Sequence, residues 1–241
     1  MVHPAVEAHP GPGSIMKNPT KLFTKEEIAS IEATIKEAEQ QTSGEVVPVV
    51  AKVSGRYDRA EDLFGFLLSL LALGSAWGVL QGISTNTQAW SGGPSIALSL
   101  PIVLTILVVT FVVGIVLASR FPLLRLPLIA KREMEEEVES SARETFHQLK
   151  VRHTNNSTGI LIYVSLHEHR VHVIGDDTIA SKLSHSDFQA ICDTIISGFK
   201  SDQPAKGMRD GILACGKLLA QHFPIEAGDQ NELNNTLHLI D

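Results

Sequence analysis

Two long stretches without a single charge constrain this chain more than any other feature. Residues 63–83 and 96–118 contain no Asp, Glu, Lys or Arg. In a helix rising about 1.5 Å per residue, roughly 20 residues cross a hydrocarbon core of about 30 Å, and both stretches are that long. The competing reading is a pair of helices buried in a soluble core, but such helices are usually shorter and keep one polar face. A transmembrane hairpin is therefore expected. The connection 84–95 carries Thr85, Asn86, Thr87, Gln88, Gly92, Gly93 and Pro94 and no charge, which suits a short loop on the translocated side.

The flanks set the orientation. Lys52, Arg56 and Arg59 precede the first stretch, and Arg120, Arg125, Lys131 and Arg132 follow the second. The excess of positive charge on the cytoplasmic side of membrane proteins predicts a multi-pass protein of the inner membrane with both termini in the cytoplasm. Neither stretch holds an ionisable side chain, which disfavours an ion path or proton relay. Gly74 and Gly78, four apart, would permit close helix approach, and the packing of the hairpin itself is a sufficient use for them.

Outside the hairpin the chain is acidic, with a net charge of −7. No basic stripe offsets this, which argues against nucleic acid as a partner. Cys192 and Cys215 sit on helical patterns without CxxC spacing and read as small core residues. Residues 1–20 are rich in Pro and Gly, lack the apolar core of a secretory signal, and read as a disordered lead-in.

Two segments of the remainder begin like capped helices. Thr24 with Glu27 forms a capping box ahead of Ile28, Ile31, Ile35 and Ala38, and Ser186 with Gln189 is expected to do the same ahead of Ile191, Cys192, Ile195 and Phe199. Met134, Val138, Ala142, Phe146 and Leu149 form another helical stripe, opposite an acidic run at 133–139 that reads as a solvated face. A last helix uses Met208, Ile212, Cys215 and Leu219 and stops at Phe223 and Pro224. Residues 45–53 are Val-rich and short, the profile of a strand buried on both faces, with Pro48 pointing to an edge or bulge. Residues 159–166 read as a central strand and 170–174 as its hairpin partner. His167 and His169 fall at the connecting turn, where a metal pair is conceivable and a solvated tip is the plainer reading.

Strands separated by helices predict a small mixed-sheet α/β/α sandwich, Rossmann-like, interrupted by the two-helix transmembrane hairpin. The expected division is 1–20 lead-in, 21–62 first part of the domain, 63–118 hairpin, 119–224 second part, and 225–241 flexible tail. The segments 22–50, with its T-S-G-E step, 158–179, with an apolar strand, a charged hairpin and a G-D step, and 206–224, with its closing F-P, together resemble the TPM family. That family is named after a thylakoid lumen protein, a photosystem II repair protein and a nematode receptor-associated modulator. The likeness is greatest to a bacterial membrane subset carrying a transmembrane pair after the first strand. It implies a Rossmann-like sandwich. It also implies one of two activities known in the family: acid phosphatase with calcium binding, or assistance to a membrane complex.

A phosphatase without a nucleophilic cysteine motif needs a divalent cation, calcium or magnesium, held by converging carboxylates. The candidate ligands are Asp176 and Asp177, just past the hairpin strand, and Asp58 and Asp62, with Glu61 between them, past the first strand. They would meet if the first and third strands ran parallel. Asp176 and Asp177 have a second reading as the N-terminus of a helix, where carboxylates are favoured without any metal. Arg56 and Arg59 dilute the other acidic group. Glu45, at the far end of the first strand, is expected to help end the preceding helix. No P-loop, G-x-S-x-G elbow, H-E-x-x-H pair or G-x-G-x-x-G fingerprint occurs. The leading expectation is an interaction or accessory module for a membrane-protein complex at the lipid bilayer, and the alternative is a metal-dependent phosphatase at the membrane surface.

Overall fold

In the computed structural model the described residues are 6–7, 18–55, 57–87, 99–121, 124, 128–152, 154, 157–225 and 231–241. They fall into two compact units, one formed by residues 1–55 together with 132–241 and the other by 56–131. In chain order the elements are β1 (Val6–Glu7), α1 (Pro19–Leu22), α2 (Lys25–Glu39), β2 (Glu45–Ala51), α3 (Asp58–Thr87), α4 (Leu100–Arg120), α5 (Lys131–Gln148), β3 (Gly159–Ser165), β4 (Arg170–Gly175), α6 (Asp177–Lys182), α7 (His185–Lys200), α8 (Pro204–His222) and β5 (His238–Ile240).

The first unit is built on a mixed sheet of order β1-β4-β3-β2-β5. β2 runs parallel to β3 from Glu45 opposite Gly159 to Ala51 opposite Ser165, and β4 returns antiparallel along β3. Alternation along the strands supplies two apolar faces. Val46 and Val50 of β2 and Ile160, Ile162 and Val164 of β3 join Ile31 and Ile35 of α2, Ile191 and Ile195 of α7, and Met208, Ile212 and Leu219 of α8 in one core. Val47, Val49, Ala51, Leu161 and Tyr163 point the other way, onto Val138, Ala142 and Phe146 of α5. This is the expected α/β/α sandwich. Cys192 and Cys215 are buried within the first core, and burial pushes both thiols up to about 12.

The Thr24 capping box forms as expected: the Glu27 amide donates to Thr24 Oγ1 at 3.2 Å and the Thr24 amide to Glu27 Oε2 at 2.8 Å. The second box forms two residues earlier than the sequence pattern indicates. Asp187 Oδ2 accepts from the Ser184 amide and hydroxyl at 2.8 and 2.7 Å, whereas Gln189 bonds along the helix to Asp193. Ser184-His-Ser-Asp187 satisfies the same orphan amide as a Ser-x-x-Gln pattern, and the charged acceptor makes the stronger bond.

Pro48 proves harmless inside β2. The Val46 amide turns to Glu39 and the Lys52 amide to Ile240, so the even positions face away from β3. β5 pairs only with Val49 to Ala51, leaving no ladder partner opposite the missing Pro48 donor. The expected flexible tail is likewise revised. Residues 231–241 close the sheet through β5, with Leu237 buried in the core, because three apolar residues suffice when an open strand edge stands ready to receive them.

In the second unit α3 and α4 are long and apolar and pair as a hairpin. The stretches fit for a membrane are Arg59–Val79 and Leu100–Arg120. Helix α3 begins five residues before the uncharged stretch does, and the expected connection is helical through Thr87; residues 88–98 lie outside the described set. The close approach is made by Gly65 and Gly114: a Cβ on Gly114 would stand 2.6 Å from the Gly65 Cα. A Cβ on Gly74 or Gly78 would meet nothing within 4 Å among the described residues beyond the glycine's own helix, so no described hairpin contact runs through the spaced pair. Ser119 Oγ adds a 2.6 Å bond to Glu61 Oε2. Gly114→Val should cost about 1–3 kcal/mol by overpacking, whereas Gly74→Val should stay within about 0.5 kcal/mol. Unfolding of the two variants in mixed micelles measures the difference, and equal losses would contradict the assigned contact.

Candidate functional site

The antiparallel return of β4 decides where the expected acidic ligands stand. Because β4 runs opposite to β2 and β3, its end at Gly175 lies beside Ile160, and the Asp176 amide donates to Gly159 O at 2.9 Å. Asp176 and Asp177 thus sit where β2 and β3 begin, while the chain leaves toward Asp58 from the end of β2. The condition for the two acidic groups to meet, parallel first and third strands, is not fulfilled. Asp58 and Asp62 belong to α3 in the second unit.

Asp176 is buried and caps the six-residue α6, its carboxylate accepting from the Asp177 amide at 2.7 Å. Asp177 is exposed and ion-paired with Arg152, whose Nε also lies 3.6 Å from Asp176 Oδ1. The positive charge at this pair is therefore a guanidinium. Among the described residues, no group of three or more His, Cys, Asp or Glu side chains is placed to hold a metal ion.

Two polar clusters appear instead, one at each end of the parallel strands. At the end where β2 and β3 finish, Glu168 is 4% exposed although it belongs to the hairpin tip. Its Oε1 accepts from the amides of Ser54 and Gly55 at 3.0 and 3.4 Å, and its Oε2 from the Ser165 hydroxyl. Ser54 Oγ donates to Ser165 Oγ at 2.8 Å and shares a 3.2 Å bond with the Tyr163 hydroxyl. Burial raises the Tyr163 phenol above its ordinary pKa. Ser141 of α5 donates to Ser54 O at 2.8 Å. One carboxylate thereby joins the exit from β2, the β3–β4 turn and, through Ser54, the helix that returns to the sheet. His169 takes a left-handed backbone with φ 52° in the same turn, and Arg170 and His172 are buried beside it on β4.

At the opposite end Glu39 and Glu45 line an open cavity of about 270 Å³ together with Lys36, Gln40, Asn231 and Asn235. Glu39 Oε1 accepts from the Val46 amide at 3.1 Å and Oε2 from the Asn235 side chain, while Glu45 Oε1 accepts from the Glu232 amide at 3.0 Å. Burial, with the Glu45 charge nearby, raises Glu39 to about 8. Glu45 thus holds the C-terminal segment, a partner that the sequence pattern at the helix end did not reveal.

Neither cluster follows from spacing. Glu168 lies between two histidines in a charged turn, where a solvated side chain is the ordinary outcome, and the signal that singles it out is the pair of amides converging on it after folding. Removing that acceptor strands the Ser54 and Gly55 amides. Glu168→Ala is expected to destabilise the protein by about 3 kcal/mol, whereas Glu168→Gln, which keeps one acceptor, should lose less. Chemical denaturation of the detergent-purified protein gives both values, and an unchanged Glu168→Ala would show that the cluster carries no structural weight.

Residues 128–218 match the TPM domain. The matched region takes in α5, β3, β4, α6 and α7 and most of α8. Among solved structures, the fold resembles the NMR structure of the BA42 protein from the psychrophilic bacterium Bizionia argentinensis. The two are 22% identical, with a TM-score of 0.53, over 90% of this chain and 94% of the other. At that identity the likeness concerns the fold. No curated protein matches the chain. By this match residues 128–218 are similar to the TPM domain, and most of the segment 158–179 that carries the sequence resemblance, with its apolar strand and G-D step, lies within them.

Proposed function

We propose that this protein is an integral membrane protein whose TPM domain faces the cytoplasm and serves as an interaction or accessory module for a membrane-protein complex. The observation that carries the reading is the apolar surface of the hairpin. Its two candidate spans are 11% and 6% buried, and Leu71, Val79, Leu100, Val108 and Val116 are each at least 60% exposed. A continuous surface of this kind is a liability in water and suited to lipid. The positive flanks support the orientation.

An accessory role agrees with the chemistry of the polar clusters. Glu168 spends both oxygens on the protein's own amides and hydroxyl, and Arg152 supplies the counter-charge at Asp176 and Asp177. Internal partners for Glu168 and Asp177 support the accessory reading.

Reporters at Trp90 and at the C-terminus are expected to place Trp90 across the membrane and the C-terminus in the cytoplasm. A cytoplasmic signal from Trp90 would overturn the orientation. Crosslinking in the native membrane should capture a membrane protein on the sandwich. Metal-dependent hydrolysis of a phosphomonoester by the purified protein, lost in Asp176→Asn/Asp177→Asn, would replace the accessory reading with an enzymatic one.

A further inference from the structure

Large apolar side chains of the first unit are mostly covered. Among its described residues three stand strongly exposed: Val53, Ile225 and Ile240. Two of the three share one end of the sheet. Val53 follows the exit from β2, and the Lys52 amide donates to Ile240 O at 2.8 Å, which sets Ile240 beside that exit. Lys52 itself is exposed next to Val53. Helix α1 borders the same end, since the Thr20 hydroxyl donates to the Asp241 carboxylate at 3.2 Å. Ile225 belongs to the other end, where it lines the cavity of Glu39 and Glu45 at the start of β2.

Chain length fixes what lies near the exposed pair. Gly55 closes the first unit, and the stretch fit for a membrane begins at Arg59. The four residues between them extend at most about 14 Å. The Ala60 amide donates to Tyr57 O at 3.1 Å, a turn that shortens the reach further. Whatever the angle between the two units, the exit from β2 is therefore held in or next to the headgroup layer, which is about 5–8 Å deep on each side of a bilayer.

We propose that the β2-exit end of the sandwich is a lipid-docking surface, with Val53 and Ile240 seated among phospholipid headgroups and Lys52 on their phosphates. The surface continues the lipid-facing hairpin and rests on the membrane reading given above. Seating the two side chains takes apolar area out of water. A lysine beside them lays its stem over that area while its ammonium meets the phosphate. Two apolar side chains and a lysine would not hold a free domain on a bilayer. They suffice here because the tether keeps the surface at a high effective concentration beside it.

The test uses the full-length protein in vesicles of phosphatidylcholine and phosphatidylglycerol, part of the phosphatidylcholine carrying a nitroxide on its headgroup. A fluorophore is placed on Lys21→Cys or on Ile225→Cys, both exposed; the two native thiols are buried and do not compete for the label. Neither position is one of the docking residues. Headgroup quenching is expected at 21 and not at 225, because β2, which separates the two ends, is seven residues and about 23 Å long. Lys52→Glu combined with Val53→Asp changes only exposed side chains and should lower the docked-to-undocked ratio read at 21 at least about fivefold. Tryptophan fluorescence quenched by brominated acyl chains reports hairpin insertion separately, since Trp77 lies in the first candidate span. Equal quenching at 21 and 225, or quenching at 21 that survives the double variant, overturns the docking surface while the tryptophan signal stands. Absence of tryptophan quenching in the parent protein would overturn both, through the membrane reading.

Discussion

The parallel ladder between β2 and β3 is the constraint on which the rest depends. Its seven positions join Glu45–Ala51 to Gly159–Ser165, two strands separated in sequence by the whole hairpin. Parallel neighbours cannot be joined by a tight turn and need a crossover, which here is α5. Val138, Ala142 and Phe146 lay that helix over one face of the pair, so one register sets both the sheet and its first covering layer. The opposite face is then left to α2, α7 and α8, which supply the larger core.

The crossover also explains how two long apolar helices can interrupt a domain without destroying it. Both chain passages lie at one end of the sheet: Ser54 and Gly55 follow the end of β2, and the first turns of α5 lie near Arg170, where Glu135 approaches the guanidinium at 3.9 Å. The other end of α5 leads to Val151, whose carbonyl lies so close to Gly159 that a Cβ there would stand 2.1 Å away. An insertion between β2 and α5 therefore lengthens a loop at one end of the sandwich and leaves the ladder intact. Loop closure grows more costly only slowly with length, so such an insertion is thermodynamically mild.

Most of this architecture was readable from periodicity. The helical stripes at 28–38, 134–149 and 208–219, the two-faced Val-rich strand and the uncharged stretches each report burial directly, because a side chain's surroundings repeat along its element. What periodicity misses are contacts formed between elements. The strap at 231–241 has too few residues in β5 for a period to show, and it is defined by the acceptors Glu32, Glu39 and Glu45 far away in the chain. Ser184 with Asp187 and Ser186 with Gln189 offer overlapping patterns two residues apart, and spacing alone does not tell which serine caps the helix. The acidic pairs stand apart for a topological reason. Asp176 follows a strand as Asp58 does, but the strand it follows runs the other way.

That reversal bears on chemistry. In open α/β sheets ligands gather outside the carboxyl ends of parallel strands, because loops diverge there and leave a crevice. In this sandwich that end is occupied from within. The Glu168 carboxylate, carried back by the hairpin turn, takes the Ser54 and Gly55 amides that such a crevice would offer to an anion, and Ser165 and Tyr163 close the row behind it. A carboxylate presented to paired backbone amides is the charge an external phosphate would bring, satisfied by the protein's own side chain. The crevice therefore serves as a joint between β2, the β3–β4 turn and α5, at the place where the chain departs for the hairpin. In this chain the end of the sheet where related architectures bind ligands holds a carboxylate of its own, tied to the exit from β2 and the β3–β4 turn and, through Ser54, to α5.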